Sequence, residues 1–188
     1  MKEITQIRKL SLWIFFLPLL SINICLLISQ NPEFLENTFF TVDQIGRSKF
    51  SIPYLDGSLS ISRASRTFPQ YLIFKPAMFL TSYILIKYWI YNKQIIEFFD
   101  FNHKNKRKIL YFGIASAVAL TIHSIFLGIK FDNDIYKLFR RIILLLFIIF
   151  EIVAQAYLVK TLYSFKEKLI DYLNINILKI KIVLVTIL

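Results

Sequence analysis

The chain has 188 residues, a hydrophobic fraction of 56%, a mean hydropathy of +0.58 and a formal net charge of +11. Soluble domains are about 45–50% apolar, so the composition argues against an ordinary water-soluble fold. The basic residues gather at the ends of apolar runs, where they set membrane topology and meet anionic headgroups, so nucleic-acid binding is not expected.

Four apolar runs predict membrane spans, at residues 10–29, 71–91, 109–129 and 142–162. Each comes close to the ~20 residues that a helix needs to cross a hydrocarbon core about 30 Å thick. The runs lack the alternating pattern of barrel strands, and backbone groups in lipid must pair internally. We therefore predict an all-α, polytopic transmembrane helical bundle that forms one integral membrane domain over residues 1–188.

The first run follows Lys2, Arg8 and Lys9, an arrangement that also occurs in signal peptides. It is longer than a usual signal-peptide core and no A-x-A-like cleavage site follows it, so we predict an uncleaved first helix. Pro18 predicts a kink in this helix. Cys25 is the single cysteine of the chain, so it has no internal disulfide partner and is predicted to pack in the interior.

The charge distribution predicts a cytoplasmic N-terminus, because basic residues concentrate in cytoplasmic segments. The densest group lies in residues 92–108, between the second and third runs, and comprises Lys93, Lys104, Lys106, Arg107 and Lys108. The Arg140–Arg141 pair, on the opposite side in this topology, opposes the assignment. The membrane would be the plasma or inner membrane of a bacterium, or an endomembrane or plasma membrane of a eukaryote.

Two segments between and after the spans are unusual. The outer loop, residues 30–70, is long and contains apolar patches, so we expect it to pack over the helix ends. Residues 174–188 are apolar but would give a helix of only about 22 Å. This segment could be a half-helix, an interfacial helix or the start of a truncated span; we favour truncation or a short fifth helix.

The outer loop carries the first candidate site. After a turn at Asp56–Gly57, serines alternate with apolar residues, and two arginines follow three positions apart. Guanidinium groups suit phosphate, and lipid headgroups supply phosphate at a membrane surface. Ser58, Ser60, Arg63 and Arg66 are therefore predicted to contact lipid headgroups. Equally, the serines could cap turns while the arginines meet solvent or lipid without specificity.

The second candidate site lies within the spans and comprises Lys75, His123, Glu151 and Gln155. A carboxylate near the midplane must face the bundle interior or water, and Gln155 lies one turn from Glu151 on the same face. These residues could form a polar site, a proton relay or a ligand contact. Alternatively, Glu151 makes a structural hydrogen bond to another helix, Lys75 snorkels to the surface and His123 bonds locally.

No catalytic or nucleotide-binding motif occurs, and neither a metal nor a cofactor is expected. His103 lies on the opposite side from His123, and one histidine with one carboxylate is a poor ligand set. Three other functions stay open: a membrane acyltransferase or lipid hydrolase with His123 or Glu151 as general base, a non-catalytic scaffold or assembly factor, and a small transporter.

Two short motifs carry a family resemblance. Pro53, Ser58 and Ser60 form a P-x(4)-S-x-S stretch, and a P-Q-Y triplet (residues 69–71) opens the second run, with Tyr88 near its far end. The chain resembles the FRAG/DRAM/SFK family over roughly residues 1–170. This family includes the post-GPI-attachment lipid-remodelling factor and the N-terminal region of the CWH-type cell-wall protein.

The resemblance implies a role in membrane lipid handling, such as remodelling lipid anchors or maintaining lipid distribution, with membrane lipids as partners. It does not imply a particular catalytic activity. Two features depart from the family pattern: its members typically have six spans where this chain has four or five, and Lys75 stands approximately where the family has an arginine after P-Q-Y.

Overall fold

The computed structural model describes residues 2–35, 38, 64–129, 134–169, 172 and 174–187. These residues form five α-helices and one short 3-10 helix, at Pro32–Leu35, and contain no β-strand. The α-helices are α1 (Lys2–Gln30), α2 (Tyr71–Phe99), α3 (Lys106–Phe126), α4 (Asp134–Ser164) and α5 (Ile175–Ile187). The all-α prediction is therefore confirmed.

Three of the helices, α1, α3 and α4, are long and apolar enough to cross a membrane. The prediction of four clear spans is not confirmed, because α2 is not among them. The 29 residues of α2 include four charged ones, Lys75, Lys87, Lys93 and Glu97, which lower its apolar character. Length alone would suffice, since 29 residues make a helix of about 44 Å.

The helix ends differ from the predicted ones in places. Most helices begin earlier than their apolar runs, because polar turns at the membrane boundary continue the helix. In contrast, α3 ends at Phe126 rather than at residue 129, since Leu127 is extended and Gly128 has a φ of 84°. A short fifth helix is present, as α5 covers 13 residues of the 174–188 segment.

Helices that are consecutive in sequence pack against one another, from α1 to α5. One end of the bundle holds the start of α1, the α2–α3 link and the segment between α4 and α5. There, the guanidinium of Arg8 donates to the Tyr172 carbonyl (2.9 Å) and the Asn105 amide donates to Thr161 (3.4 Å). We name this the basic end, because it carries the lysine-rich 92–108 segment, and the opposite end the loop end.

Helix α2 lies between α1 and α3 and contributes the most buried residues of any helix. Its polar residues Thr81, Ser82 and Asn92 donate to the carbonyls four residues earlier, at 2.8–2.9 Å. Trp89 is fully buried and packs on Gly113 of α3, where an added Cβ would lie 2.3 Å from the indole ring. The close contact of α2 and α3 therefore depends on a glycine.

The surfaces of α1 and α4 that face away from the bundle are apolar. On α1 the exposed side chains are Leu12, Trp13, Phe15, Phe16, Leu19, Leu20, Ile24 and Leu27, and on α4 they include Ile142, Leu145, Ile148 and Ile149. Continuous apolar surfaces of this extent are typical of contact with lipid or another protein.

Candidate functional site

Glu151 accepts hydrogen bonds from two helices at the centre of the bundle. The Ser116 hydroxyl of α3 donates to its Oε2 (2.7 Å), and the Gln155 amide, one turn along α4, donates to its Oε1 (2.9 Å). Ser116 lies 2.8 Å from the Gly113 carbonyl as well and is fully buried. The carboxylate therefore has partners on both oxygens and links α3 to α4.

Two residues of α2 extend this arrangement towards the basic end. The Tyr88 hydroxyl lies close to the Gln155 and Asn92 amides and interacts with the Glu151 charge. We name the following five residues the polar cluster: Tyr88, Asn92, Ser116, Glu151 and Gln155. The Gln155 Oε1 atom is buried and has no hydrogen-bond partner in the described part of the chain. The cluster therefore joins three helices by polar contacts.

Lys75 and His123, the other two predicted intramembrane residues, contact different groups. The Lys75 ammonium donates to the Ile125 carbonyl (3.3 Å) and lies 5.6 Å from the centre of the Tyr71 ring. Ile125 is nine residues from Ser116 along α3, a rise of about 13 Å. The lysine therefore sits near the loop end, well separated from the polar cluster.

His123 is half-buried against the Arg140 backbone of α4. Its Nδ1 atom is buried without a hydrogen-bond partner among the described residues. The structure thus pairs Glu151 with Gln155, as their spacing predicts. His123 and Lys75 contact neither of these residues nor each other among the contacts described above. Any binding or relay role of these four residues stays a prediction.

Of the predicted headgroup contacts, Ser58, Ser60 and Arg63 lie outside the described residues. Arg66 belongs to the segment 64–70, which precedes α2 and is largely buried. This segment contains a cis peptide bond between Phe68 and Pro69. The Arg66 carbonyl would lie 3.4 Å from a Cβ added at Gly128, so the segment reaches the end of α3.

Gln70, the middle residue of the P-Q-Y triplet, connects this segment to α1 by hydrogen bonds. It is fully buried, and its amide lies 3.2 Å from the Ser29 hydroxyl. In the amide orientation that satisfies both atoms, the oxygen accepts from Ser29 and the nitrogen donates to Thr67. The Cys25 thiol also donates to the Gln70 carbonyl (3.4 Å). The triplet therefore connects α1 to the start of α2.

A cavity of about 440 Å³ opens between α1, α2, α4 and α5 at the basic end. Its wall is mostly apolar, with Ile7, Ile95, Leu158 and Leu178 as examples, and it also includes the polar side chains of Tyr88, Asn92, Arg8 and Lys181. Cavities of this size hold small organic ligands in other proteins. Sequence analysis did not predict this cavity, because its wall combines residues that lie far apart in the chain.

The basic end also contains an ion-pair network around Glu97. Its carboxylate lies 3.2 Å from the Lys106 ammonium and 3.5 Å from that of Lys93. Partial desolvation raises the pKa of Glu97, but hydrogen bonds and charge from Lys106 and Lys93 outweigh it and bring the pKa below its usual value. This network fixes the end of α2 against the start of α3.

The chemistry available at these places is limited. The described residues contain no group of three or more histidine, cysteine or acidic side chains that could hold a metal ion. Glu151 contacts a serine, but that serine is fully buried, so a substrate could reach it only after the bundle opens.

Three comparisons with known proteins were made. No protein-family model matches the chain, and neither a curated protein nor a solved structure is similar to it.

Proposed function

We propose that this chain is an integral membrane protein that handles lipids and binds their headgroups at the loop end. In this proposal α1 to α4 cross the bilayer, the N-terminus is cytoplasmic, and α5 lies at the cytoplasmic surface. The exposed apolar surfaces of α1 and α4 support contact with lipid tails. The lysines of the basic end support its placement at the cytoplasmic surface.

Helix α2 can cross despite its charges, because most of them lie near its ends. Lys75 is one turn from the start of α2, whereas Lys93 and Glu97 lie in its last two turns. Lys87 extends over the Tyr83 ring (4.5 Å) and can reach the surface by snorkelling. Thr81 and Ser82, which lie between these positions, are buried and donate hydrogen bonds within the helix, so their hydroxyls do not face lipid.

The observation that carries headgroup binding is the anchoring of the segment 64–70. Its bonds to α1 and its approach to Gly128 hold Arg66 at the rim of the bundle. Arg63 is three residues earlier, so the predicted serine–arginine motif leads directly into an anchored segment. A guanidinium at the membrane boundary is suited to a lipid phosphate.

Cysteine labelling tests the four-span topology. In a Cys25→Ser background, single substitutions Thr38→Cys and Asn102→Cys place one thiol before α2 and one after it. If α2 crosses the membrane, an impermeant maleimide added to intact cells labels only the Thr38→Cys variant. Labelling of both variants from the same side would refute a spanning α2.

Mass spectrometry of lipids retained during purification tests the headgroup site. The Arg63→Ala/Arg66→Ala variant should lose selective retention of one lipid class that the unaltered protein shows. The control Arg47→Ala/Lys49→Ala removes the same charge from the same loop and should retain that lipid class. Equal retention in all three proteins would refute headgroup binding by the arginines.

A non-catalytic scaffold is the second candidate, and the polar cluster favours it. The Ser116 hydroxyl of α3 donates to Glu151 of α4, and Gln155 donates to the same carboxylate, so this hydrogen bond between helices strengthens their packing. Bulk lipid of the same composition on every variant, together with a stable bundle, would support the scaffold over lipid handling.

A further inference from the structure

We infer that the cavity at the basic end is a second lipid site, which binds an anionic phospholipid with one acyl chain inside the cavity and its phosphate between Arg8 and Lys181. This site lies at the opposite end from the headgroup contacts proposed above. It rests on the proposed function only in requiring that the bundle lies in a bilayer.

The wall of the cavity combines a large apolar surface with two cationic side chains, which matches the acyl chain and phosphate of an amphiphile. Apolar side chains come from all four helices, and include Ile7 of α1, Ile95 of α2, Leu158 of α4 and Leu178 of α5. Leu158 and Leu178 are almost fully buried, so they form fixed parts of the wall. An acyl chain fits such a surface, whereas a free polar metabolite would leave it without favourable contacts.

Two cations that line the same cavity complement a phosphate. Arg8 donates one hydrogen bond to the Tyr172 carbonyl, which fixes its guanidinium at the cavity wall and leaves other donors of its five. Lys181 of α5 is half-buried on the same wall. Neither cation forms a salt bridge within the described residues. Glu151 interacts with Lys181 electrostatically but from beyond ion-pair distance.

The position of the cavity identifies the bilayer as the source of its ligand. It lies at the basic end beside the surface of α1, whose neighbouring apolar side chains are exposed towards lipid. Anionic phospholipids concentrate at basic membrane-surface segments. Tyr88 and Asn92 belong to both the cavity wall and the polar cluster, so an occupant would contact the residues around Glu151.

The test uses the full chain in phosphatidylcholine nanodiscs that contain a phosphatidylglycerol with a photoreactive diazirine in one acyl chain. After irradiation, peptide mapping locates the labelled residues. We expect label on cavity-wall peptides of α2, α4 and α5, and much less when the diazirine is carried by phosphatidylcholine. Equal labelling by the two lipids would overturn the role of the cations.

The variant Arg8→Gln/Lys181→Gln should reduce labelling of the cavity wall about tenfold or more, since one charge-assisted hydrogen bond is worth at least that factor in affinity. Lys9→Gln/Lys179→Gln is the matched control. It removes the same charge from the same two helices, but both lysines are exposed and neither lines the cavity. Equal loss in both variants would refute the site.

A second variant, Ile177→Trp, tests the acyl chain. It enlarges a side chain that lines the cavity but is 62% exposed, so the larger ring does not have to fit into the packed core. Cavity labelling should fall several-fold while lipid retained through the loop-end arginines is unchanged. Persistent cavity labelling would refute an acyl chain in the cavity. If cavity labelling is selective but lipid retention is unchanged in the Arg63→Ala/Arg66→Ala variant, the proposed headgroup site is refuted and the cavity site is supported.

Discussion

Replacing Gly113 by alanine should destabilise the bundle, because the new methyl group has no space. It would lie 2.3 Å from the Trp89 ring, about 1.1 Å short of an ordinary 3.4 Å contact. The indole is fully buried and its edge faces Tyr88, so it cannot move freely. Overpacking costs about 1–3 kcal/mol, and the better helix propensity of alanine offsets up to about 1 kcal/mol. We expect a net loss of about 1–2 kcal/mol.

The natural single cysteine provides the assay. Cys25 is 1% exposed, so a thiol-reactive dye should label it only when the bundle opens, and its fluorescence on heating reports the unfolding temperature. Val118→Ile is the control, as it adds one carbon to an exposed position of the same helix. The alanine variant should unfold at a lower temperature than both other proteins. An unchanged or raised unfolding temperature would refute the close packing of α2 on α3.

Three further predictions concern polar contacts. A double-mutant cycle of Ser116→Ala and Glu151→Ala should give a coupling energy of about 0.6–1.7 kcal/mol, the range found for hydrogen bonds between membrane helices, and zero coupling would contradict their bond. The pKa of Glu97 is lower in the folded than in the unfolded protein, so its ion pairs stabilise the fold at a pH above the pKa of the unfolded state, and this stability is lost as the pH falls through the pKa of the folded state. The melting temperature should therefore fall more steeply in acid for the unaltered chain than for Glu97→Gln. Gln70→Leu should cost about 1–3 kcal/mol by leaving the buried partners of its side-chain amide, Ser29 and Thr67, unpaired, and dye labelling of Cys25 at a fixed temperature should be faster.

The sequence was sufficient to predict the helices, because long apolar runs have few alternatives in a chain of this composition. It also indicated that Glu151 and Gln155 share a face, since that follows from helical spacing. It could not identify Ser116 as a partner of Glu151, because this depends on the rotation of α3 about its axis.

The cavity was beyond sequence analysis for a related reason. Arg8 and Lys181 are separated by most of the chain, and only the folded structure brings both to the wall of one cavity. Each residue alone resembles an ordinary boundary cation. Gln70 was noticed as part of a motif, but its contact with Ser29 depends on the path of the chain between residues 64 and 70.

The position of α2 between α1 and α3 has a consequence for biosynthesis. In the four-span topology proposed above, its charges would make α2 a poor independent substrate for insertion, and its contacts with α3 would form only after α3 has been made. During translation, α2 would leave the insertion machinery as a hairpin with α1 and wait for α3. Ribosomes paused before residue 126 should therefore hold a chain whose second helix is still accessible to chaperones and proteases.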